Sequence, residues 1–297
     1  MSKAATTVRP HPFIDTAIWL PRDRGTSHIN AVLAVLVVAF LVALFATNLD
    51  DVGVWDGDPA IHLRSAMEGA NVFAREWPHG HPLKAYLHAF YFVPKAMHEI
   101  MLITFMVLAS GATVIDFGSA ERYATYFATI ATTVGLAALF AILRIGGSTR
   151  LALLVLPLVA SSGYIVLYAN MQKGNMPAHA LCWLASAIYI VARSRSTHLN
   201  LRTVVGIGAL FAMAVPTHYS SLYWFAALCA CEAALACWDR RWWRCVTTVL
   251  LVAGIALAWI AAVDAYRDVY TTLFPRERSW LGTRLDHPRF SLWQGFA

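Results

Sequence analysis

The sequence predicts an all-α integral membrane protein with about seven membrane-spanning helices. Of its 297 residues, 59% are hydrophobic and only 13% are charged, whereas soluble domains are about 45–50% apolar and about 25% charged. The apolar residues form repeated runs, and a helix needs about 20 such residues to cross a bilayer. The predicted spans are residues 29–49, 122–143, 150–169, 177–193, 202–216, 219–237 and 246–264.

The distribution of arginine predicts how these spans are oriented. Arginines lie in the connections that follow the second, fourth and sixth spans, and short cytoplasmic connections carry an excess of Lys and Arg. Residues 1–28 are therefore expected to be a cytoplasmic tail of a multi-pass protein of the plasma (inner) membrane. The loop 50–121 and the segment 265–297 are expected on the extracytoplasmic side of a membrane domain that covers residues 29–264.

Residues 83–117 do not fit the pattern of simple spans. Residues 100–115 are apolar but short, and a crossing here would turn every later arginine-bearing connection outward. We therefore expect amphipathic helices that lie on the outer membrane surface or dip into it. The alternative is an eighth span.

Charge and cysteine content argue against two other classes of protein. The net charge of +6 is accounted for by arginines in short connections, so nucleic acid is not an expected partner. The five cysteines include no CxxC spacing, which gives no indication of a zinc site or a disulfide framework.

Two acids, Asp56 and Asp58, follow the first predicted span by a few residues. Asp58 precedes Pro59, which is typical of a helix N-cap followed by proline at the first helical position. We expect a helix from Pro59 to about residue 68 that stops near Gly69. Carboxylates held just outside a bilayer suit general-base catalysis. The alternative is that Asp58 only caps the helix.

Four basic residues come next, just before the apolar segment at 100–115. Lysine and arginine bind phosphate well, so this group could hold a phosphate. The alternative is that the long side chains reach the lipid headgroups from the membrane surface. The four residues are Arg75, His79, His81 and Lys84.

Residues 56–69, which begin Asp56-Gly57-Asp58-Pro59, resemble the first outer loop of GT-C-fold glycosyltransferases. The resemblance is greatest to the protein mannosyltransferase and aminoarabinose transferase group, that is, to glycosyltransferase family 39. His81-Pro82-Leu83 is similar to a Pro-Pro-Leu segment of that group, and Thr217-His218-Tyr219 is similar to its Thr-Lys-Tyr turn. The similarity covers about 30–265, with departures: Pro59 stands where the group often has glutamate, and Asn175 stands where many relatives have aspartate.

The resemblance implies an inverting transfer of a sugar from a polyprenyl-phosphate carrier to an acceptor outside the cytoplasm. Asp58 would be the general base, with Asp56 as the alternate, and the two acids are also the expected ligands of a divalent Mg²⁺ or Mn²⁺. Relatives usually continue with further spans, so the chain is expected to be unusually short or a fragment. The expected phosphate contacts are Arg75, His79, His81, Lys84, Lys173 and His218.

Two readings from other classes stay open. A lipid or solute transporter or flippase would carry ionisable residues inside its spans, and Glu232 is the clearest example here. A non-catalytic membrane subunit would explain why no glutamate follows Asp58. Neither the sugar nor the acceptor is specified by the sequence.

Overall fold

The structure is a computed structural model, and every element in the part it describes is helical. It describes residues 27–46, 58–91, 96–169, 174–195, 199–218 and 220–239, with a few single positions between 242 and 254. A 3-10 turn, Trp77–His79, follows the second helix. The helices are α1 (Ser27–Ala46), α2 (Asp58–Glu76), α3 (Pro82–Tyr91), α4 (Ala96–Ala109), α5 (Phe117–Gly146), α6 (Thr149–Ala160), α7 (Gly163–Ala169), α8 (Asn175–Arg195), α9 (Leu201–Thr217) and α10 (Ser221–Asp239).

The helices have the length and composition of a membrane protein. Within the described residues, the stretches long and apolar enough to cross a membrane are His28–Ala46, Phe117–Gly146 and Asn175–Ser194. Shorter apolar helices include Thr149–Ala160 and Leu201–Val215. The all-α membrane class is therefore supported, whereas seven crossings and their orientation stay predictions. The predicted span 246–264 lies almost wholly outside the described residues.

The predicted span 150–169 is not one continuous helix, because two helices occupy it. Helix α6 ends at Ala160, and α7 begins at Gly163. Ser162 lies between them, and its Oγ accepts a hydrogen bond from the N–H of Ile165 at 3.4 Å. A serine hydroxyl that satisfies the free backbone donors of a new helix favours a helix start at this point.

The expected end of the second helix near Gly69 is also wrong. Helix α2 continues through Gly69 to Glu76. A Cβ atom on Gly69 would lie 2.6 Å from Ile103 Cδ1 and 2.7 Å from the carbonyl oxygen of Ala89. The glycine therefore permits close approach of α2 to both neighbouring helices, and it does not terminate the helix.

Helices α2, α3 and α4 pack around one hydrophobic core together with the first turns of α5. Contacts pair His62 with Glu99 and Gly69 with Ile103, so α2 and α4 run in the same direction. Helix α3 runs in the opposite direction and packs against both of them. The buried core residues are Leu63, Ala66, Ala70, Phe73, Ala85, Ala89, Leu102, Ile103, Met106, Ile115, Ala120 and Ala124.

The remaining helices form a bundle around the rest of α5. Helix α5 packs closely on α8, where a Cβ atom on Gly135 would lie 3.1 Å from Ala180 Cα and 2.9 Å from Trp183. Helices α8, α9 and α10 share a further core that includes Cys182, Ile207 and Phe211. Small residues at such contacts let apolar helices approach closely where dispersion forces hold them together.

One end of this bundle carries His218 and the polar residues near it. The connections from α8 to α9 and from α9 to α10 are short and join helices that run in opposite directions, so the starts of α8 and α10 and the end of α9 lie at the same end. Gly174 confirms part of this arrangement, because its Cα packs against the backbone of Thr217. We call this the His218 end of the bundle, because His218 follows the last residue of α9.

We predict that Gly69→Ala destabilises the protein by about 1–3 kcal/mol, because the added methyl group meets a backbone oxygen that cannot turn aside. The measurement is thermal unfolding of the purified protein in detergent. Gly206→Ala is the matched control: no atom lies within 4 Å of the added Cβ, and alanine favours the helix. Equal melting temperatures for Gly69→Ala and the wild type would contradict this packing.

Candidate functional site

Helix α2 begins at Asp58, one residue before the predicted start. This puts the predicted base at the first position of a helix that packs against α4. Asp56, the alternate base, lies outside the described residues, and so does the side chain of Asp58. Their catalytic and metal-binding roles therefore stay predictions.

A buried ion pair, which the sequence interpretation missed, lies one turn after Asp58. His62 Nδ1 of α2 is 2.5 Å from Glu99 Oε1 of α4. Glu99 is fully buried, and the ring of the buried His98 meets the ring of His62 edge-on at 6.1 Å. One signal was available: His62 shares the helical spacing of the buried Ala66 and Ala70, which puts it on the core face of α2.

This pair fixes the first turns of α2 against α4. A buried ionisable group is costly unless it is paired and hydrogen-bonded, so His62 and Glu99 hold each other in place. Residues four apart lie on the same face of a helix, so position 58 is directly before His62 on α2. The pair is therefore suited to hold the start of α2 in a fixed position.

The four predicted phosphate ligands of the first loop meet at one turn, which we call the basic turn. Arg75 lies in the last turn of α2, His79 in the 3-10 turn, and Lys84 in the first turn of α3. His81 Nδ1 accepts a hydrogen bond from the N–H of Leu83 at 3.3 Å. All four residues are exposed.

The basic turn does not lie beside Asp58. The two are at opposite ends of α2, and a rise of about 1.5 Å per residue separates Asp58 from Arg75 by about 25 Å along the helix. One phosphate group cannot contact both ends. The structure therefore divides the predicted site residues of the first loop into two groups.

The described residues beside Lys173 and His218, Gly174 and Thr217, are in contact. His218 follows the last residue of α9, and its Nδ1 lies 2.7 Å from Ser220 Oγ. Lys173 lies outside the described residues. The next residue, Gly174, packs against Thr217. The phosphate contacts expected of Lys173 and His218 stay predictions.

Aromatic side chains gather near the same end of the bundle, and the sequence interpretation missed these as well. The His179 ring centroid lies 5.6 Å from that of Tyr164 and 6.4 Å from that of Trp224. Asn175 Nδ2 donates to the hydroxyl of Tyr164 at 3.4 Å. The signal was the spacing of four in Tyr164–Tyr168 and His179–Trp183, which places each pair on one helix face.

Glu232, the acid that would suit a transporter, is paired with an arginine. Arg193 of α8 donates from Nε to Glu232 Oε1 of α10 at 2.9 Å, and its guanidinium lies 5.7 Å from the ring centroid of Tyr189. Glu232 is 2% exposed. The pair joins the last turn of α8 to α10, so it lies toward the bundle end opposite the His218 end.

The described residues include no group of three or more His, Cys, Asp or Glu side chains close enough to hold a metal ion. Since Asp56 is not among them, this finding does not test the expected Mg²⁺ or Mn²⁺.

Comparisons of the chain with protein-family models, with curated proteins and with solved structures found no match. The resemblance to GT-C glycosyltransferases therefore rests on the residues quoted above.

We predict that His62→Leu destabilises the protein by about 3–5 kcal/mol, since it leaves the buried Glu99 carboxyl group without its partner. The double variant His62→Leu/Glu99→Met should recover most of the loss, because it removes both ionisable groups. The measurement is thermal unfolding in detergent. His79→Leu, at an exposed histidine, is the control and should melt like the wild type. A double variant less stable than His62→Leu would contradict the ion-pair account.

We predict the same pattern for the pair on α8 and α10. Glu232→Leu should lower the melting temperature, because Arg193 then keeps a half-buried charge without its carboxylate. Arg193→Met/Glu232→Leu should restore it. If Glu232 served transport and contributed nothing to stability, both variants would melt like the wild type.

Proposed function

We propose that this protein is an integral-membrane glycosyltransferase. In this proposal it moves a sugar from a polyprenyl-phosphate carrier to an acceptor hydroxyl on the extracytoplasmic side, with inversion at the anomeric carbon. Asp58 is the proposed general base, and Asp56 is the alternate. The observation that carries the proposal is that Asp58 opens a helix whose first turns are anchored by the buried pair of His62 and Glu99.

The length of α5 supports a membrane-surface location for α2–α4. Its 30 residues span about 45 Å, while the hydrocarbon core of a bilayer is about 30 Å thick. Part of α5 must therefore extend beyond that core if the helix crosses the membrane. The first turns of α5, with Ala120 and Ala124, pack against α2–α4. A lipid-linked sugar presents its head at this level.

The proposed reaction is a single displacement. The acceptor oxygen forms a bond to the anomeric carbon while the Asp58 carboxylate takes the hydroxyl proton. The bond between the anomeric carbon and the phosphate oxygen breaks, and polyprenyl phosphate leaves with the electron pair. Packed apolar helices around such a site would limit the access of water, which would otherwise compete as acceptor.

The negative charge on the leaving phosphate needs a positive group close by. The distance along α2 argues against Arg75, His79, His81 and Lys84 for this role. We propose Lys173 and His218, because Gly174 and Thr217 beside them are in contact, and α9, which ends at Thr217, packs on α4. Asp56 and Asp58 are the proposed residues for a Mg²⁺ or Mn²⁺, which would supply further positive charge.

We predict that Asp58→Asn lowers sugar transfer by about 10²–10⁴-fold, the usual contribution of a general base, with little change in stability because asparagine caps helices as well as aspartate. The assay offers a panel of polyprenyl-phosphate sugars to the purified full chain in lipid. Turnover of one donor would establish the class and name the sugar.

Asp116→Asn is the matched control, because Asp116 also stands at a helix start. Its carboxylate accepts a hydrogen bond from the N–H of Ser119 at 2.7 Å, and the hydrogen bonds from Ser119 hold its pKa below the usual value. This variant should retain full activity. Full activity of a folded Asp56→Asn/Asp58→Asn double variant, or no turnover of any donor by folded wild type, would show that the proposal is wrong.

A further inference from the structure

An open apolar groove lies beside the basic turn. It has a volume of about 400 Å³ and lies between the end of α2, the start of α3 and the end of α4. Its lining includes Phe73, Leu83, Tyr86, Val107 and Leu108. Leu83 is 58% exposed and Leu108 is 75% exposed. Clustered exposed apolar side chains of this kind mark contacts with lipid, ligand or protein.

The groove offers few polar atoms to a ligand. The hydroxyl of Tyr86 is hydrogen-bonded to that of Thr104. Thr104 in turn donates to the carbonyl oxygen of Ile100 at 2.7 Å. With these hydroxyl groups engaged, the surface that remains suits a hydrocarbon chain.

Two cations lie in the turn between the α2 and α3 sides of the groove. Lys84 directly follows Leu83, and Arg75 lies in the last turn of α2, which also holds Phe73. The nearest acid along the chain, Glu76, forms an ion pair with His88 of α3. Within the part of the chain that the structure describes, no ion pair joins a carboxylate to Arg75 or Lys84, and both remain exposed.

Trp77 indicates the depth at which this surface would meet a membrane. Its ring stacks on that of Phe73, with centroids 6.2 Å apart, and it is 44% exposed. Tryptophan is enriched at the boundary between hydrocarbon and headgroups. Trp77 lies between the apolar groove and the basic residues, as expected for a tryptophan at the boundary between hydrocarbon and headgroups.

We propose that the groove and the basic turn bind an anionic phospholipid of the bilayer. An acyl chain lies in the groove, and the lipid phosphate contacts Arg75 and Lys84. A free phosphate ion would not fill the apolar groove. A lipid without net charge would not neutralise the two cations. Because this surface is about 25 Å from Asp58 along α2, it attaches α2–α4 to the membrane and takes no part in sugar transfer.

The test measures lipid binding by native mass spectrometry of the full chain in a non-ionic detergent, with no sugar donor. Phosphatidylglycerol and phosphatidylcholine with identical acyl chains are the probes. We expect clear preference for phosphatidylglycerol, weakened by added salt. Arg75→Gln/Lys84→Gln should lower its affinity by about 30-fold, because each cation near an anionic lipid contributes about fivefold. The control is Arg64→Gln/Arg144→Gln, which removes two exposed arginines elsewhere and should change nothing.

A second variant tests the contribution of the groove separately from that of the two cations. Leu83→Asn/Leu108→Asn should weaken binding of both lipids, because both place an acyl chain in the groove, and should leave the preference for phosphatidylglycerol intact. Equal affinity for the two phospholipids, or a preference insensitive to salt, would overturn the proposal even if a variant failed to fold. So would selective binding of undecaprenyl phosphate that phosphatidylglycerol does not displace, since the basic turn would then hold the lipid carrier.

Discussion

The contact between α2 and α4 is the constraint on which the placement of the candidate site depends. Two polar interactions hold α2 in place: the buried pair of His62 and Glu99, which joins its start to α4, and the amide of Asn71, which both donates to and accepts from the backbone of Ile115 in the connection between α4 and α5. Gly69 lies between them and lets the helices approach closely. A shift of register would leave these buried polar groups without partners, which is costly in an apolar interior. The position of Asp58 follows from this contact.

Helix α5 connects this unit to the rest of the bundle. Its first turns are buried among α2–α4, and its later turns pack on α8 through Gly135. One continuous helix therefore fixes the position of α2–α4 relative to the bundle. Polar side chains are excluded from the apolar faces of such a bundle unless they are paired, as Arg193 and Glu232 are.

The two ends of α2 have different surroundings, and the two proposals assign them different roles. At its start, Asp58 precedes the buried pair of His62 and Glu99. At its end, exposed cations border an apolar groove. If both proposals hold, the same helix links the reaction site to the surface that rests on the lipid. A rigid link of this kind would keep the base at a constant height above the bilayer, where a lipid-linked substrate presents its head.

The sequence by itself determined the helical membrane class, the start of α2 to within one residue and the break after Thr217, because apolar runs, acids before proline and short polar breaks act locally along the chain. Only the tertiary structure decided the rest. A sequence does not distinguish a glycine that ends a helix from one that lets a neighbouring helix approach. The contacts of Gly69 with Ile103 and Ala89 show that it has the second role. His62 and Glu99 are 37 residues apart, and hydrophobic periodicity reports which residues avoid water but not which partner they meet. The distance between Asp58 and the basic turn likewise depends on where α2 ends. The packing of α2 determines that end.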